Sequence, residues 1–277
     1  MKKRNDSKIT MAALMMMAAM AMTSCASSKK INGDSNVSKD SEMGKNEEDL
    51  DNSYLVLSDA QQDIVKKNNA FALRLFNKVT DMESKVISPM SVSYLMGMLA
   101  NGADGITQQE ILKAIGCEGV SVNDLNELYK AMLLNANHQD KQTTVNIANY
   151  IAVNKNFKLN KDFSQQVSDG YQAGIESLDF TSSKSTDRIN GWCKEKTNGM
   201  IPRIIDQVSA DAVSYLMNAI YFKGTWQNKF NAKDTKLENF RGYTRDIQKV
   251  EMMHQVKKLF YAENKDFKAV DLPYGNG

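Results

Sequence analysis

The sequence predicts an α+β fold, and three features carry that prediction. From Ser58 to Leu134, apolar residues recur at helical spacing behind hydroxyl and proline start signals. At Thr144 the period drops to two: Val145, Ile147, Ile151 and Val153 alternate with Asn146, Ala148, Tyr150 and Ala152. Residues 213–222 then form a nearly continuous apolar run, the pattern of a central strand covered on both faces. Helices first, then strands mixed with helices, argue against a regular βαβ repeat.

The chain opens with a segment that is not fold. Lys2, Lys3, Arg4 and Lys8 face only Asp6, and residues 9–23 follow without a charge. A basic start and a short apolar run read as an export signal spanning residues 1–24, too short to span a membrane comfortably. Without that leader, the overall charge of +2 falls to −1, because the leader alone carries +3. Residues 25–57 hold Cys25 and then a tether. Seven acids and four lysines lie between Ala26 and Ser53 with no aromatic residue, so this stretch cannot bury enough surface to order itself.

A folded domain is expected over residues 58–277. Ser58 and Gln61 make a capping box ahead of a stripe of Phe71, Ala72, Leu75, Phe76 and Val79. Ser88-Pro89 opens a second helix, with Tyr94, Leu95, Met98 and Leu99 as its inner face. Thr107 and Glu110 suggest a third capping box, followed by Ile111, Leu112 and Ile115 before Gly116 stops the helix. Residues 122–134 are a fourth helical pattern, 144–154 a strand, and 160–172 and 185–197 helices around another short strand. Several short strands follow between Leu237 and Pro273. Asn218 is the polar exception in the apolar run, and a buried amide must find partners.

Several function classes are excluded. The near balance of 35 basic and 33 acidic residues gives no basic stripe, so nucleic acid is not an expected partner. No G-x-S-x-G, H-E-x-x-H or Walker A pattern occurs, and His138 and His254 are the whole histidine complement; no catalytic residue, cofactor or metal is expected. His138 reads as a surface residue and His254 as a strand residue. Cys117 and Cys193 read as independent buried thiols, with a disulfide between them as the alternative.

Two resemblances add to this. Thr23-Ser24-Cys25 resembles the lipobox of bacterial lipoproteins, with Met22 where Leu is commoner. It implies a lipid on Cys25, a membrane contact through that anchor, and residence in the bacterial cell envelope. Residues 86–111 resemble the serpin family closely: Ser88, Pro89, Ser91, Gly102, Ala103, Gly105, Thr107 and Glu110 stand where its pattern expects them. Residues 189–201 look like the family's long helix in front of its main sheet, although Met200 stands where Lys is usual. Residues 216–226 look like its third main-sheet strand and the following turn, and residues 250–253 and 271–274 agree in the right order.

The resemblance implies a serpin-like fold, with N-terminal helices beside a large mixed β-sheet. It also implies an inhibitor of a serine, or cysteine, protease that is not itself an enzyme. In that mechanism the protease cleaves an exposed loop, which inserts into the main sheet and traps the acyl-enzyme. Carried over by motif, Ser88, Pro89, Ser91 and Asn218 would belong to the "shutter" where the sheet opens, and Trp226 to the "breach" where the loop enters. Gly102 and Gly105 would serve a tight turn between helices. A complete serpin would continue for about a third of the fold beyond Gly277. The C-terminal third, with the reactive-centre loop and the histidine usual in the shutter, is therefore expected to be missing. A protease is the expected partner and a monomer the expected state. The alternatives are a non-inhibitory serpin-like envelope lipoprotein and an inactive gene fragment.

Overall fold

The computed structural model describes residues 55–81, 85–136, 141–243 and 245–276. The export signal, Cys25, most of the tether and His138 lie outside the described residues. In chain order the elements are α1 (Asp59–Val79), α2 (Pro89–Asn101), α3 (Gly105–Ala114), α4 (Val122–Ala136), β1 (Thr143–Asn154), α5 (Lys161–Tyr171), β2 (Gly174–Leu178), α6 (Ser183–Lys196), β3 (Ser214–Gly224), β4 (Lys236–Arg241), β5 (Ile247–Met252), β6 (Tyr261–Glu263) and β7 (Lys268–Val270).

Local chemistry sets the helix ends. The Ser58 hydroxyl accepts from the Gln61 amide, and the Gln61 side chain accepts from the Ser58 amide at 3.0 Å, closing a reciprocal box. Ser88 caps α2 by accepting from the Ser91 amide, with Pro89 at its first turn. Ser121 caps α4 through the Asp124 amide at 3.0 Å. The third start differs from the sequence reading: α3 begins at Gly105, where the Asp104 carboxylate accepts from the Gly105 amide at 2.7 Å. Aspartate caps at least as well as threonine, so Thr107 becomes the third helical residue instead. Gly116, at φ +77°, closes α3, with the Cys117 amide donating back to the Leu112 carbonyl at 2.8 Å.

The sheet has strand order β2-β1-β3, with β2 parallel and β3 antiparallel to β1. Register places Ile147 opposite Ile220 and Ile151 opposite Leu216 on one face, and Ala148 opposite Ala219 and Tyr150 opposite Met217 on the other. The first face packs under α1 to α5 in a core that includes Tyr94, Met98, Leu125, Leu128, Tyr129, Ile151 and Tyr171. The second carries Tyr150, Ala152, Met217 and Ala219 against Ile189, Trp192 and Cys193 of α6.

Among the described residues β3, formed by the apolar run, pairs only with β1. Its apolar run reports burial of two faces and says nothing of its neighbours. The alternation in β1 likewise hides a strand buried on both faces from Asn149 to Asn154. Leu99 and Val79, placed on inner faces by spacing, are exposed.

Beyond β3, the hairpins β4–β5 and β6–β7 each pair antiparallel within themselves. His254 falls just after β5 rather than in a strand, and its Nε2 lies 3.0 Å from Glu238 Oε1 on β4. The chain then returns to the end of β3: Gln227 donates to the Pro273 carbonyl at 2.9 Å, and Gly275 donates to Thr225 at 2.8 Å.

Candidate sheet-opening site

Asn218 sits midway along β3, and register puts it directly opposite Asn149 of β1. The two amides bond across the strands, Asn218 Nδ2 donating to Asn149 Oδ1 at 2.8 Å. Asn149, almost wholly buried, spends its own Nδ2 on the Tyr171 carbonyl at the end of α5, at 2.7 Å. One oxygen is left over: Asn218 Oδ1 is buried and accepts no hydrogen bond from the described residues. An unsatisfied buried acceptor costs about 1–3 kcal/mol, so this oxygen is a weak point of the β1–β3 seam.

The sequence singled out Asn218 but not its partner. Asn149 lies on the same strand face as Ile147 and Ile151, and a polar residue on that apolar face was the available signal. Ser88 and Ser91 bond each other, Ser91 Oγ donating to Ser88 Oγ at 3.0 Å, and no hydrogen bond joins them to Asn218. Ser88 and Pro89 are buried at the first turn of α2 and Ser91 is half-buried. The structure therefore places three of the four expected shutter residues together, with Asn218 in a separate amide pair.

A second polar assembly backs the seam. Tyr94, Tyr129 and Tyr171 come from α2, α4 and α5 and pack together, with ring centroids 4.8 to 6.2 Å apart. The Tyr171 hydroxyl donates to Asn126 Oδ1 at 2.7 Å, and Asn126 and Asn101 exchange amide bonds at 2.8 and 2.9 Å. Tyr171 thus serves two assemblies, its carbonyl holding Asn149 and its hydroxyl holding α4. Burial pushes all three phenols far above their ordinary range, so they remain neutral donors. Gly97 makes room for them: a Cβ there would stand 2.4 Å from the Tyr171 hydroxyl.

Trp226 lies where β3 ends. Its indole stacks on Tyr274 at 4.2 Å and 16°, and Phe230 meets it edge-on at 6.0 Å. Tyr274 also meets Phe222 at 4.9 Å, so this half-buried aromatic group closes one end of the sheet.

Among the described residues no group of three or more His, Cys, Asp or Glu could hold a metal ion, and no helix is long and apolar enough to cross a membrane. Cys117 and Cys193 are free and buried in separate cores on opposite sheet faces, and burial raises both thiols above their ordinary range.

Comparison with known proteins decides the family. A family model described as "Serpin (serine protease inhibitor)" matches residues 66–277. The chain belongs to the serpin family. Among curated serpins it is similar to the leukocyte elastase inhibitor of Bos taurus, 33% identical over 216 residues, covering 75% of this chain and 56% of the relative. It is similar also to serine protease inhibitor 42Dd of Drosophila melanogaster, 30% identical over 208 residues, covering 73% and 56%. The thermophilic serpin tengpin in its native state matches at TM-score 0.71 and 32% identity, covering 78% of this chain and 55% of tengpin. The chain spans a little over half the length of these curated serpins. The serpin match confirms the α+β fold.

Proposed function

We propose that this chain is part of a serpin-type inhibitor of a serine protease, exported and held at the bacterial cell envelope by a lipid on Cys25. Residues 1–24 would be the export signal, residues 25–57 the anchor and tether, and residues 58–277 the sheet-bearing part of the inhibitor. The loop that a protease cleaves would come from sequence outside these residues. The protein would act as a monomer, its partners a protease and, through the anchor, a membrane.

The observation that carries the reading is the Asn218 acceptor that, among the described residues, has no donor, on a strand that pairs there only with β1. A sheet that opens and re-closes needs a narrow polar contact at the parting line, satisfied in each state. In this reading Asn218, with Asn149, is that contact. Ser88, Pro89 and Ser91 would contribute from the first turn of α2, and Trp226 would mark the end of the sheet where an inserting strand enters.

The test is to read the gene beyond the codon for Gly277. A frame continuing into a hinge of Glu, Gly and Thr and a run of small residues supports the inhibitor. An immediate stop, or a hinge of bulky or charged residues that resist burial, turns the reading to a non-inhibitory envelope lipoprotein. Cys25→Ala should abolish fatty-acid labelling of the expressed protein; retained labelling would remove the anchor from the proposal.

A further inference from the structure

Tyr150, Glu176 and Arg188 come from β1, β2 and α6 and meet on the sheet face that α6 covers. The Arg188 guanidinium grips the Glu176 carboxylate with both arms, Nε to Oε1 at 3.1 Å and a terminal nitrogen to Oε2 at 2.8 Å. The Tyr150 hydroxyl donates to the same Oε2 at 2.8 Å. Arg188 also lies over the Tyr150 ring, 5.7 Å from its centroid, and that ring stacks on Trp192 of α6 at 5.1 Å and 21°. A single carboxylate therefore ties one helix to two strands.

We infer that Tyr150, Glu176 and Arg188 form a clasp that decides whether α6 lifts from the sheet separately from the rest of the fold. The inference does not depend on the inhibitory reading. The apolar attachment of α6 is slight: of its fourteen residues, Ile189, Trp192 and Cys193 are the large apolar side chains it buries. Elements held by few buried contacts open locally well before a domain unfolds. Lifting α6 would uncover Tyr150, Ala152, Met217 and Ala219 along the β1–β3 seam, so the clasp controls access to that face.

The carboxylate is the element that can be switched. Burial pushes the Glu176 acid up, but Arg188 and the Tyr150 hydroxyl outweigh it and hold the acid below its ordinary value. Arg188 from α6 and Tyr150 from β1 are the charged and titratable groups acting on Glu176, and α5, also packed on β2, brings none to it. Arg188 in turn feels Tyr150 and Glu195. With its acid held low, the clasp is complete at neutral pH and is lost as pH falls through and below the ordinary carboxylate range.

The experiment is hydrogen exchange by mass spectrometry on the full chain, comparing α6 with β1. At neutral pH, Glu176→Gln should speed exchange of α6 about tenfold and Tyr150→Phe about threefold, with β1 unchanged. Tyr150→Phe keeps the stack on Trp192 and serves if Glu176→Gln fails to fold. On acidification the gap between wild type and Glu176→Gln should close. Equal acceleration of α6 and β1, no acceleration of α6 by either variant, or a gap that persists in acid would overturn the clasp.

Discussion

Gly97→Ala is the sharpest test of the helical layer. In an open helix this change should stabilise by up to about 1 kcal/mol, because alanine loses less backbone freedom. At Gly97 the new Cβ would meet the Tyr171 hydroxyl at 2.4 Å, Tyr129 Cε2 at 3.0 Å and Tyr171 Cε1 at 3.1 Å. Both rings belong to nearly inaccessible tyrosines packed on each other, so neither can swing aside. Overpacking of this kind costs about 1–3 kcal/mol. Pushing the Tyr171 hydroxyl off Asn126 adds about 1 kcal/mol. After the helical gain, the net loss is about 2 kcal/mol, or ~4–8 °C in Tm for a chain of this size. Gly191→Ala is the internal control. That glycine also lies inside a helix, its Cβ would meet nothing within 4 Å, and it should stabilise the protein slightly. Urea denaturation of both variants and wild type measures the difference. A Gly97→Ala variant as stable as Gly191→Ala would refute the tyrosine packing.

The amide pair predicts an asymmetry. Asn149→Ala strands both the Tyr171 carbonyl and the Asn218 amide, at a cost of about 2–4 kcal/mol, whereas Asn218→Ala removes one bond and exchanges one unsatisfied acceptor, Asn218 Oδ1, for another, Asn149 Oδ1, and should cost about 1 kcal/mol. Equal losses in urea melts would contradict the hydrogen-bond arrangement. Asp179 accepts from Lys155 at 2.8 Å and from Thr181, which hold its acid at about 2. Its folded value lies below the unfolded one, so its contribution to stability is present above about pH 4 and lost as pH falls toward 2. Asp179→Asn should flatten the acid limb of a pH–stability curve in that window, and an unchanged limb would remove Asp179 from the acid response.

Helix ends were legible because capping is local: Ser58 with Gln61, Ser88 with Pro89, and Asn160 at the head of α5 each act within a few residues. The third cap is misplaced in the sequence: Thr107 with Glu110 reads as the start, but Asp104, three residues earlier, holds that position. The apolar run marked β3 as a strand covered on both faces, but periodicity carries no information about which strands neighbour it. Asn218 stood out against its apolar run, but Asn149, sixty-nine residues away, became its partner only through register. The tyrosine cluster was hidden for the same reason. Tyr94 was placed correctly on an inner face, while Tyr129 and Tyr171 reach it from separate helices, so the assembly exists only after packing.

The measurement closest to the central claim is made on the uninterrupted gene product, mixed with an active serine protease and examined on a denaturing gel. The account predicts a stoichiometric, detergent-resistant complex, formed by active protease and not by protease whose nucleophile has been blocked. A product that is cut into fragments while the protease remains free and active would contradict it.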